Sequence, residues 1–426
     1  MLGGLRPHRA AGHRGTSASA PVALEATTLE TAVEAVRVQR RWGLRASAAA
    51  GAALTLTGVV LVAPQAQSDG PEPHGSWVDV GPMPHRRAHP VAVQLKDGRV
   101  LVAGGETSLD GRCKKNADLF DPRSNEWTAA APMHRDRCSA SAVLLGNGAV
   151  LVAGGLGLVW KDEPGSHGWF THYRRSVEIY HPRRDRWTRG APMAESRALP
   201  ILEMLDGRRV LMTGGQTFRH QRTSAQLYLV PQDRWRNTAP MSVSRDAGSS
   251  VRLRGGGVLV AGGPKDAEGF RTAERYSVAS GTWKAAGRFG GTRFPILIRT
   301  PRGDVWAIPN SARPARRMAY RFDPGTSAWH RAGLLPAART GTAVVTLRGQ
   351  PFVLGGAGSN GRYTTRTTML WRPKVREWQR WTRLPRPLVG HAAVRLHDGS
   401  ILVLGGQTEI SAGSHVPRKL AYRYYP

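Results

Sequence analysis

Cysteine, lysine and acidic residues are all scarce in this chain. Two cysteines in 426 residues exclude a disulfide-scaffold miniprotein, and eight lysines leave the positive charge almost wholly to 53 arginines. Acids number 30 against 61 basic side chains, a formal net charge of +31. Long Leu/Ala/Glu/Lys runs are missing too, which disfavours helical bundles and coiled coils. What the chain has instead is 50 Gly, 29 Pro and 13 Trp within a 40% hydrophobic composition. That is the make-up of an all-β protein with many tight turns, long enough for a large core and too apolar for disorder. The charge has two readings, a polyanionic partner or a compositional bias toward arginine.

Residues 1–36 are small and polar without a period and read as a disordered extension. A basic cluster, Arg37, Arg40, Arg41 and Arg45, then precedes an uncharged stretch over 46–63. This is the layout of an export signal over 37–68, with small residues at Ala66-Gln67-Ser68 that would release a chain starting at Asp69. An uncleaved signal anchor, tethering the protein to a membrane through 46–63, is the alternative. No cysteine follows directly, so a lipoprotein anchor is excluded. The expected location is secreted or cell-envelope associated.

From Trp77 onward the chain repeats. VLVAGG occurs at 100–105, 150–155 and 258–263, VLMTGG at 210–215, FVLGG at 352–356 and ILVLGG at 401–406, while VWAIPN at 305–310 holds the fifth slot without glycines. A second ruler runs beside it: Trp77, Trp127, Trp187, Trp235, Trp283, Trp329 and Trp378. Ten residues beyond each tryptophan stand Arg87, Arg137, Arg197, Arg245, Arg293 and Arg339, with Leu388 in the seventh place. Each unit of about 50 residues reads as four short antiparallel strands joined by Asp-Gly-type turns. The fold class is therefore all-β, a seven-bladed β-propeller over 77–426, its last blade completed by the Trp77 strand.

These residues resemble the kelch repeat: an apolar run ending in Gly-Gly, an aromatic near proline as in Phe120-Asp121-Pro122 or Tyr180-His181-Pro182, then Trp. The resemblance covers about 77–426 and is weakest in the fifth unit. Kelch propellers include copper oxidases resembling galactose oxidase, and for those the resemblance implies a cross-linked tyrosine, a Tyr-His pair and a further C-terminal domain. Tyr180-His181 mimics the pair but occupies the repeat's own aromatic slot, so no copper, other metal or cofactor is expected. Sialic acid mutarotases are the other enzymatic kelch reading. Glu203 is a lone carboxylate that could face the channel, with no matched acid/base partner, and no catalytic residue is assigned.

The candidate binding residues follow from topology. The six repeated arginines precede the first, channel-lining strand of a blade, so they either bond carbonyls or carboxylates of the neighbouring blade or gather as an anion-binding mouth. The longest repeat interval, 60 residues, places 156–175 in the loop after the second Gly-Gly. Trp160, Trp169, Phe170, Tyr173, Arg174 and Arg175 in that loop form either a binding surface or a small satellite core. Cys113 and Cys138 share the same face, as a disulfide or as two thiols. The chain reads as a monomeric binding or scaffold module for an anionic polysaccharide, an envelope polymer or a protein. No helix-turn-helix or zinc motif supports specific nucleic-acid recognition.

Overall fold

The computed structural model describes residues 75–107, 112–163, 166–218, 220–263, 271–358, 363–411 and 414–426, with side chains outside 159–169 and 410–415. The extension over 1–36 and the export segment over 37–68 lie outside the described residues.

Hydrophobic runs of four to five residues separated by glycine turns cannot each bury a face alone, and here they stack side by side. Seven four-stranded antiparallel sheets form the blades. Blade 1 runs from channel to rim as Val91–Gln94, Val100–Ala103, Ala117–Asp121 and Glu126–Ala130. The first strands of successive blades touch in a closed cycle, blade 7 meeting blade 1. Second strands such as Val100–Ala103, Val258–Ala261 and Ile401–Leu404 are buried at every position, because a neighbouring blade covers each face. That is why they read as unbroken apolar runs instead of alternating ones.

The core is correspondingly divided. Seven apolar clusters each draw on two adjacent blades, for example Leu101 and Ala117 of blade 1 with Val150 and Tyr180 of blade 2. The tryptophans stitch the rim. Trp187 Nε1 donates to Ala131 O of the preceding blade at 2.7 Å, and Trp235, Trp283, Trp329 and Trp378 repeat the bond at 2.8–3.0 Å. Within each blade the ring lies on the aromatic of the third strand, as in Tyr180–Trp187 at 5.1 Å.

Closure follows the expected form. Ser76–Asp79 pairs antiparallel with Ala421–Tyr425, placing Trp77 opposite Tyr424 with ring centroids 4.9 Å apart. The outer strand of blade 7 thus comes from the N-terminal side of the propeller and its other three from the C-terminal side. The upper face carries the connections between blades and the loops after the Gly-Gly pairs. The lower face carries the tight turns within each blade.

Candidate functional site

The repeated arginines build the upper face from inside. Arg87, Arg137, Arg197 and Arg245 are 0% exposed and Arg339 is 6% exposed. Arg87 Nη1 donates to Gly104 O at 2.9 Å and to Asn116 O at 3.1 Å, while Nη2 meets Asp118 Oδ2 at 2.7 Å. Arg137 repeats this with Gly154 O, Ser176 and Glu178, and Arg245 with Gly262 O, Thr272 and Glu274. Arg197 holds Gly214 O, Ser224 Oγ and Glu195, and Arg339 holds Gly355 O and Thr367 O. The expectation of an open arginine mouth is therefore corrected: these guanidiniums are consumed as braces tying the Gly-Gly corner to the third strand. The blade braced is the arginine's own, not its neighbour. Burial holds Arg87 and Arg137 below the ordinary arginine range, opposed by Asp118 and Glu178.

Arg293 departs from the others. Arg87 lies eight residues before Leu95, whose N-H takes the turn carbonyl of Arg99, whereas Arg293 lies seven before Thr300, which bonds Asp304 in the same way. The blade 5 connection is thus one residue short, and buried Thr292 fills the brace position. Arg293 turns back to the preceding blade, bonding Gly263 O at 3.3 Å and Asp246 at 2.9 Å. The Leu388 position is apolar and buried in the blade 6/7 core.

The acids that receive these arginines escaped sequence reading. Asp118, Glu178 and Glu274 are almost fully buried, and each stands nine residues ahead of a tryptophan, a place held by Gln226, Tyr320 and Met369 in blades 3, 5 and 6. Glu178 also accepts from the His134 backbone N-H at 2.6 Å and from Arg135 N at 3.1 Å. Burial pushes its carboxyl up, but Arg137 and His134 outweigh that and hold it below the usual range.

The loop of blade 2 is a hairpin. Leu156–Glu163 and Ser166–Tyr173 pair through eight rungs, with Trp160 opposite Trp169 and Val159 opposite Phe170. Its base is a satellite core: Leu156 packs with Cys113, Cys138 and Ala198, and Tyr173 leans on them. The two cysteines are bonded, their Cα atoms 5.1 Å apart. Arg174 is also internal, 7% exposed, its Nε donating to Asp136 O at 2.8 Å and its Nη2 pairing with the Asp136 carboxylate. Phe170 and Arg175 are exposed, whereas the side chains of Trp160 and Trp169 fall outside the described set. A second hairpin, Gln407–Ser411 with Ser414–Pro417, rises from blade 7 and had no counterpart in the sequence reading.

Blades 7, 1 and 2 are adjacent, so the two hairpins flank the stapled loop of blade 1. Exposed on this sector are Arg86, Lys114, Lys115, Arg135, Arg175 and Lys419. Of the acids beside them, Asp136 pairs with Arg174 and Glu106 is buried with His89 Nδ1 at 3.9 Å. In the channel, Glu203 accepts from Ser250 Oγ at 2.9 Å. Burial pushes its carboxyl up, against Ser250 and the charges of Arg252 and Arg299.

The Tyr-His pair holds no metal arrangement. Tyr180 is fully buried on the lower side with its hydroxyl donating to Asp185 at 2.7 Å, and His181 Nε2 lies 2.9 Å from Thr188 Oγ1. Among the described residues no group of three or more His, Cys, Asp or Glu is placed to hold a metal ion, and the Tyr180 hydroxyl is committed to Asp185.

The Kelch motif family model matches residues 87–134, the blade 1 brace and its strands. The propeller thus carries a kelch motif in its first blade. Among curated proteins, the chain is 38% identical to an N-acetylneuraminate epimerase of Yersinia enterocolitica over 20% of this chain and 24% of that protein. It is 36% identical to kelch-like protein 35 of Mus musculus over 21% and 15%, and 35% identical to beta-scruin of Limulus polyphemus over 19% and 8%. The matches span no more than about a quarter of each relative. Among solved structures, a fungal alcohol oxidase of the AA5 family in complex with copper superposes with a TM-score of 0.64 at 16% identity, over 83% of this chain and 76% of that one. At that identity the likeness is one of fold.

Proposed function

We propose that this kelch propeller is an exported, non-catalytic binding module whose upper face over blades 7, 1 and 2 engages an acidic polysaccharide of the cell envelope. One observation carries the reading. Six exposed cations, Arg86, Lys114, Lys115, Arg135, Arg175 and Lys419, lie beside two projecting hairpins, and of the acids near them Asp136 is paired with Arg174 and Glu106 is buried. Their counterions would be released on contact with a polyanion, and flanking hairpins widen the contact surface. The Cys113–Cys138 bond suits an oxidising compartment, in line with the export-type segment over 37–68. An enzymatic reading would rest on Glu203, which accepts from Ser250 Oγ and lies within the field of Arg252 and Arg299.

The test is retention of the full chain on immobilised polygalacturonate. Lys114→Glu/Lys115→Glu should elute at markedly lower salt than the parent, while the lower-face pair Arg183→Glu/Arg184→Glu, which changes the net charge equally, should not. Equal loss in both variants would reduce the effect to bulk charge and sink the proposal. Export adds its own requirement: the chain recovered from outside the cytoplasm should begin at Asp69 or retain the segment over 46–63.

A further inference from the structure

A cleft of about 490 Å³ opens on the lower face between blades 4 and 5, away from the sector just described. Leu253, Phe322 and Pro324 give it an apolar side, and Arg254, Arg275 and Arg302 bring three guanidiniums to it. Asp304, the one acid among its lining residues, lies 3.9 Å from Arg321. Arg254 donates to Pro301 O at 2.7 Å. The side chains of Arg275 and Arg302 have no hydrogen-bond or ion-pair partner among the described residues.

The repeat itself indicates what belongs in this place. Tyr276 stands opposite Trp283 as Tyr424 stands opposite Trp77, so Arg275 holds in blade 4 the position of Arg423 in blade 7. In the seam between blades 7 and 1, Arg423 is 4% exposed and fully bonded. Its Nε donates to Ser400 Oγ at 2.9 Å, its Nη1 to Pro122 O and Asn125 Oδ1 at 2.6 Å each, and its Nη2 pairs with the Asp398 carboxylate. Asp398 and Ser400 lie two and four residues after Leu396 in a turn closed by Leu396 N to Ser400 O. The matching blade 4 turn, closed by Leu253 N to Gly257 O, has Gly255 and Gly257 in those places. Both turn side chains that meet the arginine at one seam, Asp398 and Ser400, are glycines at the other. The cleft opens on the Gly255 side, where the Asp398 carboxylate has no counterpart, while Arg275 Nε lies close against Gly257.

We infer that the blade 4/5 cleft is a binding site for an oxyanion, a carboxylate or sulfate group, seated where the Asp398 carboxylate sits in the blade 7/1 seam. Forked guanidinium donors match the paired oxygens of such groups, and the glycine turn lets the anion approach Arg275 without a competing side chain. The volume exceeds that of a bare oxyanion, leaving space for an organic body against Phe322 and Pro324. The same chemistry is offered by a free ion and by an acidic sugar.

The repeat also supplies the test. Gly255→Asp restores the internal carboxylate; Gly255 has no left-handed φ, and a Cβ there would meet only Arg275 Nη2 at 3.7 Å. Labelled sulfate is dialysed against the full chain at constant ionic strength, with acetate and glucuronate as competitors. The parent should bind one sulfate more per chain than Gly255→Asp, and also one more than Arg275→Gln. The melting temperature of Gly255→Asp should equal or exceed the parent's, since its aspartate takes the ion's place. Glucuronate displacing sulfate at lower concentration than acetate assigns the group to a sugar, and the opposite order assigns it to a free anion. Equal sulfate occupancy in the parent, Gly255→Asp and Arg275→Gln overturns the inference.

Discussion

An arginine recurring ten residues after each tryptophan locates a side chain without saying where it points. Spacing placed Arg87, Arg137, Arg197 and Arg245 on the upper face correctly, and all four turned inward because the corner they brace leaves carbonyls that need donors. Gly104 shows how tight that corner is: its φ is +63° and an added Cβ would lie 2.6 Å from Arg137 O of the next connection. The fate of the arginines hinged on partners such as the acids nine residues before tryptophan, which attract no notice singly. Arg137→Met should leave Glu178 buried without its main counter-charge and cost about 3 kcal/mol. Arg175→Met, at an exposed site, should stay within about 0.5 kcal/mol. Thermal unfolding of the two variants checks the contrast, and equal melting temperatures would remove the brace role.

Among the elements, the long interval in blade 2 was visible in the sequence as an aromatic loop, but its hairpin was not. Gly157 and Gly168 interrupt the period-two pattern that marks a strand, and Pro164-Gly165 was read as loop rather than as a break between two strands. The disulfide could not be read from the sequence either, because bonding depends on a Cα separation that only the packed upper face defines. Cys113 and Cys138 are 25 residues apart, and cross-linking a loop of that length restricts the unfolded chain by about 3 kcal/mol in the chain-entropy account. Cys113→Ser/Cys138→Ser should accordingly melt several degrees lower and loosen the base of the hairpin at Leu156 and Tyr173. Thiol titration of the unfolded, unreduced protein should find no free thiol. Two titratable thiols would contradict the bond.

At the scale of the whole molecule, blade count and closure were legible because two independent rulers, tryptophan and glycine pair, agreed over seven units. Closure places the two ends of the propeller in one sheet, where Trp77 Nε1 and Trp127 Nε1 have no hydrogen-bond partner among the described residues, unlike the tryptophans of blades 2 to 6. His391 lies in the same blade, 7% exposed, with no well-formed hydrogen bond to either ring nitrogen. Burial and the neighbouring His89 push its pKa down to about 4, against weak opposition from the Leu354 backbone. A folded-state value below the unfolded 6.5 means stability is complete above about pH 6.5 and is lost as the pH falls toward 4, by about 3 kcal/mol for the full shift. His89 acts the other way. Burial lowers its pKa, but the Glu106 carboxylate 3.9 Å from Nδ1 raises it overall, so its contribution is present in acid and is lost as the pH rises through its folded value. The buried, partnerless ring should dominate between pH 6.5 and 4.5, before carboxylates such as Glu178 begin to protonate. Melting temperature should therefore fall across that window in the parent and fall much less in His391→Phe, which keeps the ring volume and removes the proton site. Parallel pH profiles for the two proteins would show that the closure blade is not where acid sensitivity arises.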